Sequence, residues 1–166
     1  MSIGAKNEES NPVAGCDLLK LDGARLEYRQ WPGAGENPPV LVLLHEGLGS
    51  VGLWGDFPSR LAATTGCRVF AYSRAGYGAS SAVALPRPLD YMQREATDVL
   101  PRVLEAIGFT RGVLIGHSDG ASIATVYAGA RQDERLAGLT LIAPHFVVED
   151  MTIAAIERAP PMSAAT

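Results

Sequence analysis

The chain has 166 residues, of which 47% are hydrophobic and 19% charged, and its formal net charge at pH 7 is −4. This length and balance predict one globular domain with its own core and exclude a disordered protein. The acidic balance offers no broad basic surface to a phosphate backbone, so we expect no nucleic-acid partner. Cys16 and Cys67 stand in dissimilar settings, which predicts ordinary thiols rather than a disulfide framework.

Residues 1–16 form a polar leader, which we expect to be disordered. The leader contains Lys6, Glu8 and Glu9 and lacks the apolar stretch of a secretory signal. No apolar run in the sequence reaches the length that spans a membrane. We therefore predict a cytoplasmic protein without a membrane partner.

An antiparallel hairpin is the first predicted element, because Asp22-Gly23 separates two strand-like runs at 17–21 and 24–29. Strands and helices then alternate along the chain. The predicted strands are 40–44, 67–72, 113–115 and 139–143, and the predicted helices are 56–65 (capped by Asp56), 90–107 (kinked at Pro101) and 121–128. This order predicts an α/β fold with a mostly parallel sheet and helices on both faces, whose ligands bind at the carboxyl ends of the strands.

The pentapeptide Gly116-His117-Ser118-Asp119-Gly120 lies between a buried-type strand and a helix of small residues. A serine hydroxyl is a weak nucleophile until a base reaches it, so it must stand clear of the backbone on a sharp turn that glycines allow to close. The pattern G-x-S-x-G in this setting therefore predicts a nucleophilic serine.

Two further motifs follow earlier strands, at residues 45–50 (HEGLGS) and 73–80 (SRAGYGAS). Together with the pentapeptide, and in this order, they resemble the α/β-hydrolase family over residues 17–150. The resemblance implies a hydrolase that attacks ester-like or activated carbonyl substrates with Ser118. It also implies an oxyanion hole made by the N–H groups of Gly47 and Asp119, a small-molecule substrate, and neither a metal nor a cofactor. The Asp119 carboxylate itself is expected to be a first-turn helix residue.

The sequence also departs from the family pattern. Glu46 stands where the family often has glycine, and we expect a structural role for it; Ser73 stands where the family often has aspartate. The family order is Ser, then Asp or Glu, then His, on two later strands. Those strands are missing here, so we expect a partial core domain at 17–150, followed at 151–166 by the start of a cap-like helix and a frayed tail.

Three histidines are candidates for the base. His145 leaves the strand expected beside that of Ser118, and with Glu149 or Asp150 to orient it this histidine could complete a triad. His117 precedes the serine and is expected to pack at the strand end, and His45 is expected to hold the oxyanion loop.

The last predicted strand, 139–143, would be an uncovered sheet edge. Such edges recruit partners or aggregate, so we expect possible self-association of the chain.

Two alternative functions are open from the sequence. One is a catalytically inactive fragment or binding module of the same fold. The other is a dinucleotide-binding domain, because residues 47–52 spell G-x-G-x-x-G after a strand and Arg74 stands where a 2′-phosphate could be met.

Overall fold

The computed structural model of the protein describes residues 15–147 together with residues 150 and 158. Six strands form one mixed sheet: β1 (Asp17–Leu21), β2 (Ala24–Trp31), β3 (Val40–Leu44), β4 (Arg68–Tyr72), β5 (Gly112–His117) and β6 (Leu136–Ile142). Their order across the sheet is β1-β2-β4-β3-β5-β6. β1, β2 and β4 pair antiparallel, whereas β4, β3, β5 and β6 run parallel. The predicted hairpin and mostly parallel sheet are thus confirmed.

Within residues 15–147, four α-helices cover the sheet: α1 (Phe57–Thr65), α2 (Tyr91–Arg94), α3 (Leu100–Ala106) and α4 (Asp119–Ala130). A 3-10 turn at Val51–Trp54 precedes α1, and a π-helical turn at Glu95–Val99 joins α2 to α3. None of the described helices has the length and apolar character needed to cross a membrane.

The sheet separates two hydrophobic clusters, one on each face. Alternate residues of β3 divide between them: Val42 belongs to the cluster that α3 and α4 cover, and Leu43 to the smaller cluster that includes Ala62 of α1. This alternation follows from the two-residue period of a strand and explains why β3 is apolar throughout. Both helix layers hold the central strands, and therefore their carboxyl ends, in place.

Several local predictions needed correction. Asp56 is at the cap position of α1, but its side chain makes no capping hydrogen bond. The predicted single helix 90–107 is interrupted by the π-helical turn, which ends shortly before Pro101. Proline has no N–H, so Pro101 cannot donate to the Thr97 carbonyl. Arg131 Nη2 donates to that carbonyl oxygen at 3.0 Å instead.

Cys16, the last residue of the predicted leader, is buried in the smaller cluster, so this residue packs with the domain. The expectations for residues 1–14, for Glu149 and for nearly all of 151–166 lie outside the described residues.

Candidate active site

Ser118 occupies a sharp turn between β5 and α4. Its φ of 52° and ψ of −116° lie in a region that a residue with a side chain seldom adopts, so the surrounding structure must stabilise this conformation. The Ser118 N–H donates to the Ile142 carbonyl at 2.8 Å, and the Ser118 carbonyl accepts the N–H groups of Ala121 and Ser122. The turn is therefore anchored to β6 on one side and to α4 on the other.

The flanking glycines are required by close contacts with neighbouring backbone. A Cβ at Gly116 would lie 2.3 Å from the Gly120 carbonyl oxygen, and a Cβ at Gly120 would lie 2.0 Å from the Leu44 carbonyl oxygen. No side chain fits at either distance, because both neighbours are main-chain atoms. The G-x-S-x-G pattern is thus explained by the packing of the turn against β3 and against itself.

His145 lies next to Ser118. The Oγ atom of Ser118 is 2.7 Å from Nε2 of His145. Ala143, at a φ of 48°, turns the chain after β6, and the His145 N–H lies 3.4 Å from the Ser122 Oγ. The sequence placed His145 at this edge of the sheet, and the structure brings its ring within hydrogen-bond distance of the serine.

The His145 imidazole has no carboxylate partner within residues 15–147: no carboxylate there forms a hydrogen bond with the ring, which is exposed. Of the two acids that the sequence suggested, Glu149 lies outside the described residues and Asp150 is exposed. The arrangement in the described chain is a serine-histidine pair.

Gly47 and Asp119, the two predicted oxyanion donors, lie on neighbouring segments. A Cβ built at Gly47 would be 3.0 Å from Oδ2 of Asp119. In the described part of the chain, neither backbone N–H donates a hydrogen bond to another main-chain group. Neither N–H is therefore engaged in main-chain hydrogen bonding within the described residues.

The Asp119 carboxylate accepts a hydrogen bond from the hydroxyl of Tyr91 in α2. Burial, together with this hydrogen bond, raises the pKa of Tyr91, so the phenol stays protonated and can donate. Sequence reasoning missed Tyr91, since 28 residues separate the pair and no motif links them.

His45 is buried and has both ring nitrogens engaged. Nδ1 is 2.7 Å from the Glu46 carbonyl oxygen, and Nε2 accepts the Arg74 N–H at 3.0 Å. Burial lowers the pKa of His45 to about 3, and the charge of Arg74 contributes in the same direction. A neutral imidazole whose acceptor nitrogen is occupied cannot serve as the base for Ser118.

His117 ends β5 half-buried and lines a cavity of about 300 Å³. The other lining residues come from the oxyanion loop, defined as residues 45–50, and from the 3-10 turn: His45, Glu46, Gly49, Ser50, Leu53 and Trp54. The structure gives His117 no hydrogen bond to Ser118, in keeping with the packing role expected for it.

The two departures from the family pattern have local partners. The Glu46 carboxylate accepts the Leu48 N–H at 2.5 Å, so its charge is directed to the backbone of its own loop. Ser73 is buried; its hydroxyl donates to the Glu27 carboxylate at 2.7 Å and accepts the Val51 N–H at 2.9 Å. Both side chains therefore brace the loops around the carboxyl ends of β3 and β4.

The dinucleotide alternative finds no support in the local structure. The last two residues of the 47–52 motif belong to the four-residue 3-10 turn, and α1 begins only at Phe57, so no α-helix starts at the motif to present its amino terminus to a pyrophosphate. Arg74 is buried and donates to the oxyanion loop.

Comparison with known proteins agrees with this fold and these motifs. The sequence model of the alpha/beta hydrolase fold matches residues 39–163, and the chain therefore belongs to the alpha/beta hydrolase family. RutD of Caulobacter segnis, a candidate carbamate hydrolase, is 30% identical over 123 residues, which are 74% of this chain and 43% of that protein.

Solved structures of hydrolases are similar as well. A hydrolase from Pseudomonas aeruginosa is 28% identical with a TM-score of 0.67, covering 88% of this chain and 54% of that one. A thioesterase domain from the curacin biosynthetic pathway is 25% identical with a TM-score of 0.67, covering 86% and 50%. The chain thus spans about half the length, or less, of these relatives.

Proposed function

We propose that this domain hydrolyses ester-like or activated carbonyl compounds, with Ser118 as the nucleophile and His145 as the general base. The observation that carries the proposal is the distance of 2.7 Å between Ser118 Oγ and His145 Nε2. In the tautomer of the neutral imidazole that carries its proton on Nδ1, Nε2 at this distance can accept the hydroxyl proton during attack.

The reaction follows from the positions of these groups. Ser118 Oγ bonds to the carbonyl carbon of the substrate while its proton passes to His145 Nε2, and the carbonyl oxygen becomes an anion. The N–H groups of Gly47 and Asp119 then donate to that oxygen, each contributing about 3 kcal/mol of stabilisation. The tetrahedral intermediate then collapses and expels the leaving group, which takes the proton from His145. Water attacks the acyl-serine in the same way, and the acid product is released together with free Ser118.

The substrate class is proposed from chemistry and from the relatives together. A serine nucleophile forms an acyl-enzyme with esters, thioesters and carbamates alike. RutD is a candidate carbamate hydrolase and the curacin protein is a thioesterase domain, and both chemistries are acyl transfers of this kind. We therefore propose a small-molecule carbonyl compound with a good leaving group as the substrate.

A catalytically silent binding module is the second candidate function. It is favoured by the exposure of His145 and by the lack of a carboxylate bonded to it within residues 15–147. In serine hydrolases the third group holds the imidazole in the correct tautomer, and losing it costs about 10⁴ in rate.

Covalent labelling distinguishes the two candidates. We expect a fluorophosphonate to add one phosphonyl group to the purified protein, seen by intact-mass spectrometry, and Ser118→Ala to remain unlabelled. Ser59→Ala, which removes an exposed hydroxyl in α1, is the matched control and should label like the wild type. No adduct on the folded wild type would favour the binding module.

A further inference from the structure

Arg74 is a buried cation directly behind the oxyanion loop. Its side chain is 1% exposed and follows β4 at the carboxyl end of the sheet. Moving a guanidinium out of water is costly unless hydrogen bonds and an opposite charge compensate for it. Such a group is retained in a core only where its contacts have a specific use, so its partners indicate its role.

Those partners are consecutive carbonyls of the loop. Arg74 Nη1 donates to the His45 carbonyl oxygen at 2.6 Å, and Nη2 donates to the Glu46 carbonyl oxygen at 2.8 Å. The Arg74 backbone N–H also donates to His45 Nε2. Arg74 therefore contacts both residues immediately before Gly47. The Glu46 carbonyl oxygen also lies 2.7 Å from His45 Nδ1 and accepts the Gly49 N–H at 3.2 Å, and Arg74 supplies the charged donor among these contacts.

The second of these contacts bears on the proposed oxyanion hole. The Glu46 carbonyl and the Gly47 N–H belong to one peptide unit, which is planar and trans, so the two groups point in opposite directions. A hydrogen bond that fixes the carbonyl therefore fixes the direction of the N–H. Donation from a charged group also polarises the peptide and makes its N–H a stronger donor.

Glu95 is a buried acid that also interacts with Arg74. It lies in the π-helical turn and is 7% exposed; its Oε2 and the Nε of Arg74 are both buried without a hydrogen-bond partner. Burial raises the pKa of Glu95, and the positive charge of Arg74 opposes that rise. The hydrogen bonds of the guanidinium go to the loop and not to Glu95.

We propose that Arg74 is a positioning residue for catalysis: it orients the Glu46–Gly47 peptide so that the Gly47 N–H donates to the oxyanion. This inference rests on the proposed function, since it assigns a use to Arg74 only where Gly47 serves the oxyanion hole. Arg74 does not touch the substrate and acts through the loop backbone.

Steady-state kinetics on p-nitrophenyl butyrate test the catalytic part. Arg74→Lys keeps the charge but loses the planar fork that reaches two carbonyls. We expect kcat to fall 10- to 100-fold with KM within twofold, because the oxyanion forms only in the transition state. Arg68→Lys is the matched control: Arg68 donates to the Ile107 carbonyl at 2.8 Å, away from the loop, and kcat should stay within twofold. An Arg74→Lys enzyme with wild-type kcat would overturn the proposal.

NMR spectroscopy of the wild type tests the Arg74 contact even if Arg74→Lys fails to fold. It also applies if the wild type forms no Ser118 adduct, a result that would by itself defeat the proposed function. In ¹⁵N NMR we expect separate, slowly exchanging Nη–H signals for Arg74 and hydrogen-bond couplings from them to the His45 and Glu46 carbonyls. A single averaged Nη signal that exchanges rapidly with water would contradict the orienting contact, whatever the activity of the protein.

Discussion

The Nε2 atom of His145 lies 2.7 Å from the Oγ atom of Ser118, although 27 residues separate them in the chain. The reason is the sheet: β5 and β6 are parallel neighbours whose last residues, His117 and Ile142, pair in register. Ser118 follows β5 directly, and His145 follows β6 after Ala143 and Pro144. The Ser118 N–H bond to the Ile142 carbonyl fixes this juncture.

The glycine at position 120 is expected to be indispensable to the turn. Gly120→Ala would place a Cβ 2.0 Å from the Leu44 carbonyl oxygen, so β3 or α4 must shift. We expect a loss of about 3 kcal/mol or more in the free energy of unfolding, measured by urea denaturation. Gly129→Ala is the matched control in the same helix: no atom lies within 4 Å of its Cβ, and a gain of about 0.5–1 kcal/mol is expected. Equal effects of the two substitutions would refute this account of the turn.

The Tyr91 hydroxyl is expected to hold the Asp119 carboxylate beside Gly47. Tyr91→Phe removes that donor and leaves a half-buried negative charge next to the proposed oxyanion hole. We expect fluorophosphonate labelling to slow several-fold, because the charge opposes the developing anion.

Tyr28→Phe is the control for Tyr91→Phe. The Tyr28 ring stacks on Phe70 at 5.3 Å, and its hydroxyl makes no hydrogen bond within the described residues. Labelling of this variant should match the wild type. A Tyr91→Phe protein that labels as fast as Tyr28→Phe would mean that the hydroxyl has no influence on the site.

A partly buried ion pair just after α4 is expected to make stability depend on acid pH. Asp133, whose side chain is 10% exposed, accepts hydrogen bonds from Arg135 and Tyr127. The Arg135 hydrogen bond is the main cause that lowers the pKa of Asp133 well below its usual range, whereas burial raises the pKa of Tyr127 to about 12.

A carboxyl group with a depressed folded-state pKa stabilises the fold above its unfolded pKa of about 4, and this contribution is lost as the pH falls toward the folded value. We expect Asp133→Asn to lower the free energy of unfolding by about 1–3 kcal/mol at pH 7, with the difference shrinking below about pH 4. Asp56→Asn breaks an exposed pair with Arg60 and should change little at any pH. A pH-independent effect of Asp133→Asn would contradict the assignment.

Self-association through β6 remains a prediction. β6 is the last strand in the described sheet, and Ile142, Phe146 and Val147 beside it are exposed. We expect light scattering to show species larger than the monomer, and Ile142→Lys to reduce them, since a lysine discourages edge pairing. Leu89→Lys, at a fully exposed loop position, is the control. A monodisperse wild-type monomer would refute this prediction.

Much of the fold could be predicted from local patterns. The continuous apolar run of β3 and the hairpin around Asp22-Gly23 depend on neighbours in sequence, and the structure places both as expected. The π-helical turn and the 3-10 turn at Val51–Trp54 could not be predicted, because tertiary contacts decide them.

The candidate site likewise contains residues that could be predicted from the sequence and residues that could not. Ser118, Gly47 and Asp119 belong to motifs with fixed spacing, so the sequence could single them out. Arg74 and Tyr91 act through partners 28 or more residues away, and no spacing in the sequence announces such contacts. The contact between His145 and Ser118 likewise depends on the turn at Ala143, and no local sequence pattern predicts the positive φ of that residue.

The rate of fluorophosphonate labelling in the wild type and in His145→Ala tests most directly whether His145 activates Ser118. His117→Ala is the matched control, because it removes an adjacent histidine whose side chain forms no hydrogen bond with Ser118 among the described residues. We predict labelling at least 100-fold slower in His145→Ala and within twofold of the wild type in His117→Ala. Labelling of His145→Ala at the wild-type rate would contradict the role of His145 as the base.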